Sequence, residues 1–204
     1  MKWIITISAI LLFALAGCGK DKQSTNELIT VDVTKNYPEK ELTLQDFMDV
    51  EYIPLETNDE FVTQGKVMAI GAEVILITNW ANDGNLFVFD RKTGKALKKI
   101  NRKGQGGEEY IGITEIVLDE ANKEIFVIAY TGSKISVYDL DGNFKRSFKA
   151  AGTESHVNTF NYDRENLISY VPDNSLENPS NAIPPYYLIF SKQDGSITRK
   201  ISIP

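Results

Sequence analysis

The chain has 204 residues, of which 42% are hydrophobic and 25% charged, and a formal net charge of -6. That length suits one domain, and a mildly acidic chain without a basic cluster argues against nucleic acid and anionic membrane surfaces as ligands. A single cysteine and a single histidine leave no disulfide and too few ligands for the usual zinc, copper or haem sites.

At the N-terminus, Lys2 precedes an apolar run over residues 3–13. The run is too short to span a bilayer as a helix and has the layout of a secretory signal. It ends in Leu15-Ala16-Gly17-Cys18, which resembles the lipobox of bacterial lipoproteins. The resemblance implies a signal peptide over 1–17 and lipidation of Cys18 on its sulfur; the bland alternative is an ordinary signal with an incidental cysteine. Several acyl chains on one residue give stable anchoring where one chain would not. With Cys18, the polar residues 19–26 read as a flexible tether, 18–26. Lys20-Asp21 faintly resembles the charged tract that sends some Gram-negative lipoproteins to the surface. The expected address is extracytoplasmic, with the protein lipid-anchored to the outer membrane on its periplasmic or surface face.

The remainder, 27–204, reads as all-β. Valine, isoleucine and aromatic residues are frequent, and long stripes of period 3.6 are absent. After an N-terminal strand region over 27–57, three blocks each offer four strands. They are 66–70, 73–79, 85–90 and 96–100; then 113–118, 124–130, 134–139 and 143–148; then 157–162, 166–170, 186–191 and 196–203. One unit recurs at the third strand of each block: Leu86-Phe-Val-Phe-Asp90 to Gly94, Ile135-Ser-Val-Tyr-Asp139 to Gly142, and Tyr187-Leu-Ile-Phe-Ser191 to Gly195. Its glycines are 48 and then 53 residues apart (94 to 142 to 195), a period that points to stacked four-stranded propeller blades. Asn, Asp and Gly clusters mark the hairpins between strands. Apolar runs such as 74–77 and 125–128 fit inner strands covered on both faces.

Residues 113–148 are similar to NHL-type repeats and to the six-bladed β-propeller lipoproteins of Gram-negative bacteria. The likeness rests on Val117-Leu-Asp119 with Glu124-Ile-Phe-Val127, on Ile135 to Asp139 with Asp141-Gly-Asn-Phe144, and on the link Lys103-Gly-Gln-Gly-Gly-Glu-Glu-Tyr110. In the link, Gly107 and Glu108 stand where that family usually has Pro-Gly. Glu51-Tyr-Ile-Pro-Leu-Glu-Thr57 resembles its N-terminal strand, which in the family closes the ring. The resemblance implies a partial propeller: an N-terminal strand region 27–57 and blades at about 66–100, 113–148 and 157–203. Three blades fall short of the four to eight of closed rings. Open blade edges invite self-association. A truncated product of a longer propeller gene, a dimer that completes a ring, and an atypical stack of sheets are the alternatives.

For chemistry, the chain offers little. Asp139, Asp141 and Asn143 resemble the start of a calcium loop, but position 150 is Ala where an EF-hand needs Glu, so the stretch reads as a hairpin turn. Gly104-Gln-Gly106-Gly107 lacks the strand–turn–helix context of a nucleotide loop. There is no nucleophile elbow, and one histidine, His156, leaves little room for a triad. Glu108 and Glu109 suit a solvated surface better than paired acid-base work. No cofactor, metal or catalytic residue is expected, and a binding module is favoured over an enzyme. In propellers, loops between second and third strands share a face with the links between blades. That face would here carry Trp80, Asn82, Asp83, Arg102, Gln105, Glu108, Glu109, Tyr110, Tyr130, Tyr170 and Tyr186. Trp80, Tyr130 and Tyr170 are read as matching positions of an aromatic ring that stacks on a glycan or grips a peptide or partner protein; the alternative is that they cover blade junctions. The Pro-rich insert 171–185 suits recognition or a tolerated insertion equally.

Overall fold

The computed structural model describes residues 31–129, 134–150, 157–172 and 184–203. The signal peptide and tether therefore lie outside the described residues, as do Tyr130, His156 and most of the Pro-rich insert. The chain divides into two units, Met1–Val50 and Glu51–Pro204. In the first, the described residues hold one short 3-10 turn, Leu44–Asp46, where the Thr43 amide donates to the Asp46 carboxylate at 2.8 Å.

The second unit is all β-sheet. Its strands are β1 (Lys66–Ile70), β2 (Val74–Thr78), β3 (Asn85–Asp90), β4 (Ala96–Asn101), β5 (Glu115–Asp119), β6 (Glu124–Ile128), β7 (Lys134–Asp139), β8 (Phe144–Lys149), β9 (Val157–Asn161), β10 (Asn166–Val171), β11 (Tyr186–Ser191) and β12 (Ile197–Ser202). They form three antiparallel sheets in simple up-and-down order: β1–β4, β5–β8 and β9–β12. These are the three expected blades. Sequence order becomes spatial order because the hairpin loops are short, three to six residues at every turn except the long insert between β10 and β11, and a short loop favours an antiparallel neighbour.

Burial explains the sequence pattern strand by strand. Residues 74–78 and 124–128 are buried throughout, as strands covered on both faces must be. The outer strands β4 and β8 alternate, with Ile100 and Phe148 inward and Lys99, Lys145 and Lys149 outward. Where β3 turns into β4, Asp90 Oδ1 accepts from the Lys92 and Thr93 amides at 3.1 and 2.7 Å. Asp139 does the same for Asp141 and Asn143, both at 2.9 Å. That geometry is a tight turn stabilised by the aspartate side chain. Each turn ends on a glycine with positive φ: Gly94 at 69°, Gly142 at 83° and Gly195 at 75°. A bulge recurs at the same place in all three third-to-fourth strand pairings, at Val88/Phe89, Val137/Tyr138 and Ile189/Phe190.

The core is a series of layers between sheets. Leu76, Leu86, Val88 and Ile100 of the first blade meet Ile116, Ile125, Val127 and Tyr138 of the second. Phe126, Ile135, Val137 and Phe148 of the second meet Leu167, Leu188 and Phe190 of the third. On its other side the first blade is covered by Ile53, Leu55 and Phe61. The expected N-terminal strand forms no ladder among the described residues, since no sheet edge runs beside it. Residues 53–56 nonetheless stand where a preceding blade would place its outer strand. Gly94 sits against Ile53 and Pro54 as Gly195 sits against Phe148 and Lys149. The Glu56 amide donates to the Gly94 carbonyl at 2.8 Å.

Candidate functional site

Among the residues expected on the loop face, most of the polar groups are committed to holding the loops together. Asn82, at φ 49°, accepts from the Ile113 amide at 2.9 Å, and its carbonyl takes Lys103 Nζ at 2.8 Å. Asp83 accepts from Asn79 Nδ2 at 2.8 Å and from the Asn85 amide at 2.9 Å. Partial burial raises the Asp83 carboxyl, but these donors outweigh it and the net shift is downward. Arg102 Nε donates to the Gly142 carbonyl at 3.2 Å and so ties the first link to the second blade. Glu109 accepts from the Gly106 amide at 2.8 Å. Lys134 Nζ spans the same link, donating to the carbonyls of Gly107 and Glu109, both at 2.8 Å. Without a proline, the glycine-rich link is shaped by this lysine and by the Tyr138 hydroxyl, which donates to the Glu108 carbonyl at 2.7 Å.

Two of the expected ligand contacts belong to the core instead. Tyr110 is 1% exposed, and its hydroxyl donates to the Gly84 carbonyl at 2.7 Å while accepting from the Arg102 amide at 3.1 Å. Burial raises its pKa, and it pushes that of the neighbouring Tyr138 up to about 12. Tyr186 is buried in the layer between the second and third blades, with Lys200 Nζ 3.7 Å above its ring. The aromatic ring also needs correction. The pairs Val74–Asp90, Glu124–Asp139 and Asn166–Ser191 fix equivalent positions. Counting from them, Tyr170 matches Thr78 and Ile128, and the match to Trp80 and Tyr130 is Pro172. Tyr170 instead stacks on Tyr187 at 5.6 Å. Of the remaining face residues, Trp80 is 71% exposed, with Lys66 Nζ 5.2 Å from its ring, and Gln105 and Glu108 are exposed.

Sequence reasoning missed a groove of about 610 Å³ along the first strands of all three blades. Met68 and Ile70 line it from the first blade, Glu115 and Leu118 from the second, Asn158 and Phe160 from the third. Each lining strand is the terminal strand of its sheet, so among the described residues its outer backbone edge has no neighbouring strand. Two glutamates of the middle blade grip its neighbours across this groove. Glu115 accepts from the amides of Asn158 and Thr159 at 2.6 and 3.0 Å. Glu120 accepts from those of Ala72 and Glu73 at 2.7 and 2.9 Å. Burial raises the Glu120 carboxyl, yet the amides prevail and hold it below its usual value. The signal was the position of Glu115 and Glu120 at either end of one strand, but a carboxylate clamp looks like any surface glutamate until the blades are placed. Among the described residues, no group of three or more His, Cys, Asp or Glu side chains converges as a metal site.

Three four-stranded up-and-down sheets packed face to face, with their first strands around one groove, define a β-propeller. A family model described as a 6-bladed beta-propeller, DUF5128, matches residues 19–203, and the chain belongs to that family. A solved structure from Bacteroides fragilis NCTC 9343, of a protein described as exported, superposes with a TM-score of 0.58 at 20% identity; the match covers 81% of this chain and 45% of that one. The computationally designed Ika4 protein aligns at TM-score 0.42 and 16% identity over 74% of this chain and 79% of its own. The RRP9 WD40 repeats align at 0.46 and 10% over 69% and 39%. No curated protein matches.

Proposed function

We propose that this protein is a lipid-anchored, extracytoplasmic binding module, tethered through Cys18, that takes a glycan or peptide along its groove and adjoining loop face. The observation that carries the reading is the groove itself. It draws on all three blades and combines apolar side chains with strand edges that have no strand beside them among the described residues. An extended chain of hydrogen-bonding groups fits such a lining, and the propeller supplies the rigid frame. Trp80 adds an exposed ring for stacking at the loop end. The lipobox-like Leu15 to Cys18 supports the address, as does the description of the Bacteroides relative as exported.

Two experiments test the reading. Glycan arrays and peptide libraries probed with residues 19–204 should yield a ligand whose affinity falls on Phe160→Ala or Trp80→Ala. A ligand indifferent to both substitutions would place binding elsewhere. For the anchor, Cys18→Ser should abolish incorporation of labelled palmitate and release the protein from the membrane fraction. Undiminished membrane association rejects the anchor.

A further inference from the structure

Two carboxylates frame the groove along the first strands. Glu115 opens β5 and Glu120 follows its last residue, so their backbones lie about 16 Å apart at the rise of an extended strand. They reach opposite neighbours, as an odd spacing along an extended chain favours. Glu115 holds the amides of Asn158 and Thr159, and Glu120 those of Ala72 and Glu73. A carboxylate can accept about four hydrogen bonds, so each has capacity left after these two. Neither forms an ion pair with a described residue, and the described lining of the groove contains no Lys, Arg or His. Much of the rest of the lining is apolar, with Met68, Ile70, Leu118 and Phe160 prominent. Ile70 and Phe160 are 58% and 59% exposed, so both offer apolar surface to an occupant.

We propose that the occupant of this groove is an extended peptide with apolar side chains and two basic ones, placed to meet Glu115 and Glu120. The proposal rests on the reading of the groove as the binding site and adds the charge and class of its ligand. A neutral or anionic ligand laid over the groove strips water from two carboxylates and returns no counter-charge, which costs desolvation energy. A lysine or arginine replaces that water with a charge-assisted hydrogen bond. Most glycans are neutral or anionic, so the same cost weighs against them. A peptide strand of about six residues spans the distance between the two acids, and its side chains five positions apart fall on opposite sides, as the acids do. Its apolar side chains then meet Ile70 and Phe160, the usual division of labour between backbone and pockets in strand recognition.

The test screens the full chain against a library of short random peptides. The expected binders are enriched in peptides with two basic residues five positions apart. Their affinity should fall about tenfold on Glu115→Gln or Glu120→Gln, each of which keeps a carbonyl acceptor for the neighbouring amides and removes the charge. With the unaltered protein, exchanging the two basic residues of the best peptide for glutamate should abolish binding, and raising salt from about 50 to about 500 mM should weaken the basic peptide severalfold. Peptides that lose affinity on Phe160→Ala but carry no basic residues, or ignore both Glu→Gln changes, overturn the proposal and leave the groove as the site. Peptides indifferent to Phe160→Ala as well remove the groove reading along with it. A library that yields no binder overturns the proposal, whether or not a glycan binds. So does spermidine binding as tightly as the best peptide, which would make a free polyamine the occupant.

Discussion

The fully buried pair of Lys192 and Asp119 sets the sharpest prediction. Their side chains are 2% and 1% exposed, and Lys192 Nζ lies 2.6 Å from Asp119 Oδ2. The ammonium also donates to the carbonyls of Asp163 and Arg164. All three of its protons are used, and the lysine thereby pins the third blade to the second. Lys192→Met keeps the volume and removes the charge. Asp119 then retains only the amide and side-chain nitrogen of Asn122. The Arg164 carbonyl keeps Asn122 Nδ2 at 3.0 Å, while the Asp163 carbonyl loses its donor from Lys192. Breaking one side of a buried pair costs about 3–5 kcal/mol, and the Asp163 carbonyl, on an exposed residue, can turn to water and adds little. We expect a loss near 4 kcal/mol. With a urea slope of about 2 kcal/mol/M, that lowers the unfolding midpoint by roughly 2 M. The assay is urea unfolding followed by circular dichroism, with Asp119→Asn and the double variant completing a cycle. A coupling of at least about 2 kcal/mol is expected for charges in contact. A midpoint unmoved by Lys192→Met, or an additive cycle, would refute the claim that this pair joins the blades.

Gly142→Val should cost about 2–3 kcal/mol in the same assay, since φ is 83° and an added Cβ would lie 2.9 Å from Ile100; an unchanged midpoint would discount the junction. Burial raises Glu120 and Glu124, but their donors outweigh it and leave both below the ordinary 4.5. Folding then gains from their ionisation above that value and loses the gain as pH falls through their lower folded values. Melting temperature should accordingly hold from neutral pH to about 5 and drop below about 4.5, with a shallower drop in Glu120→Gln and Glu124→Gln. Equal acid sensitivity in those variants would remove them as the cause. Trp80→Ala should leave the midpoint within about 0.5 kcal/mol of wild type, as the ring is 71% exposed; a larger loss would make Trp80 a packing residue.

Much of this architecture was legible because local chemistry set it. The repeated unit ending at Gly94, Gly142 and Gly195 marks turns whose φ only glycine adopts readily, and the strands fall within a few residues of their expected bounds. The site was less legible, because side-chain roles depend on pairs far apart in the chain. Tyr110 read as an exposed aromatic of a loop, yet its hydroxyl is fixed by Gly84, 26 residues away. Lys134 looked like the start of a strand, and its ammonium organises the link around Gly107. The match of Tyr170 to Trp80 and Tyr130 followed from where the second strands were expected to end, and the register moves it by two residues. Lys192, the most consequential cation, sat unnoticed in a turn because its partner Asp119 is 73 residues away.

The two carboxylate clamps, Glu115 toward one neighbour and Glu120 toward the other, both belong to the middle blade. The three blades therefore behave as a three-site chain with nearest-neighbour coupling, in which the centre shares both interfaces and each end shares one. Fraying starts at an end and stops at the centre, because an end detaches by giving up one interface while the centre must give up two. The middle blade is thus the element whose amides should exchange last, and the one through which strain at one end is felt at the other.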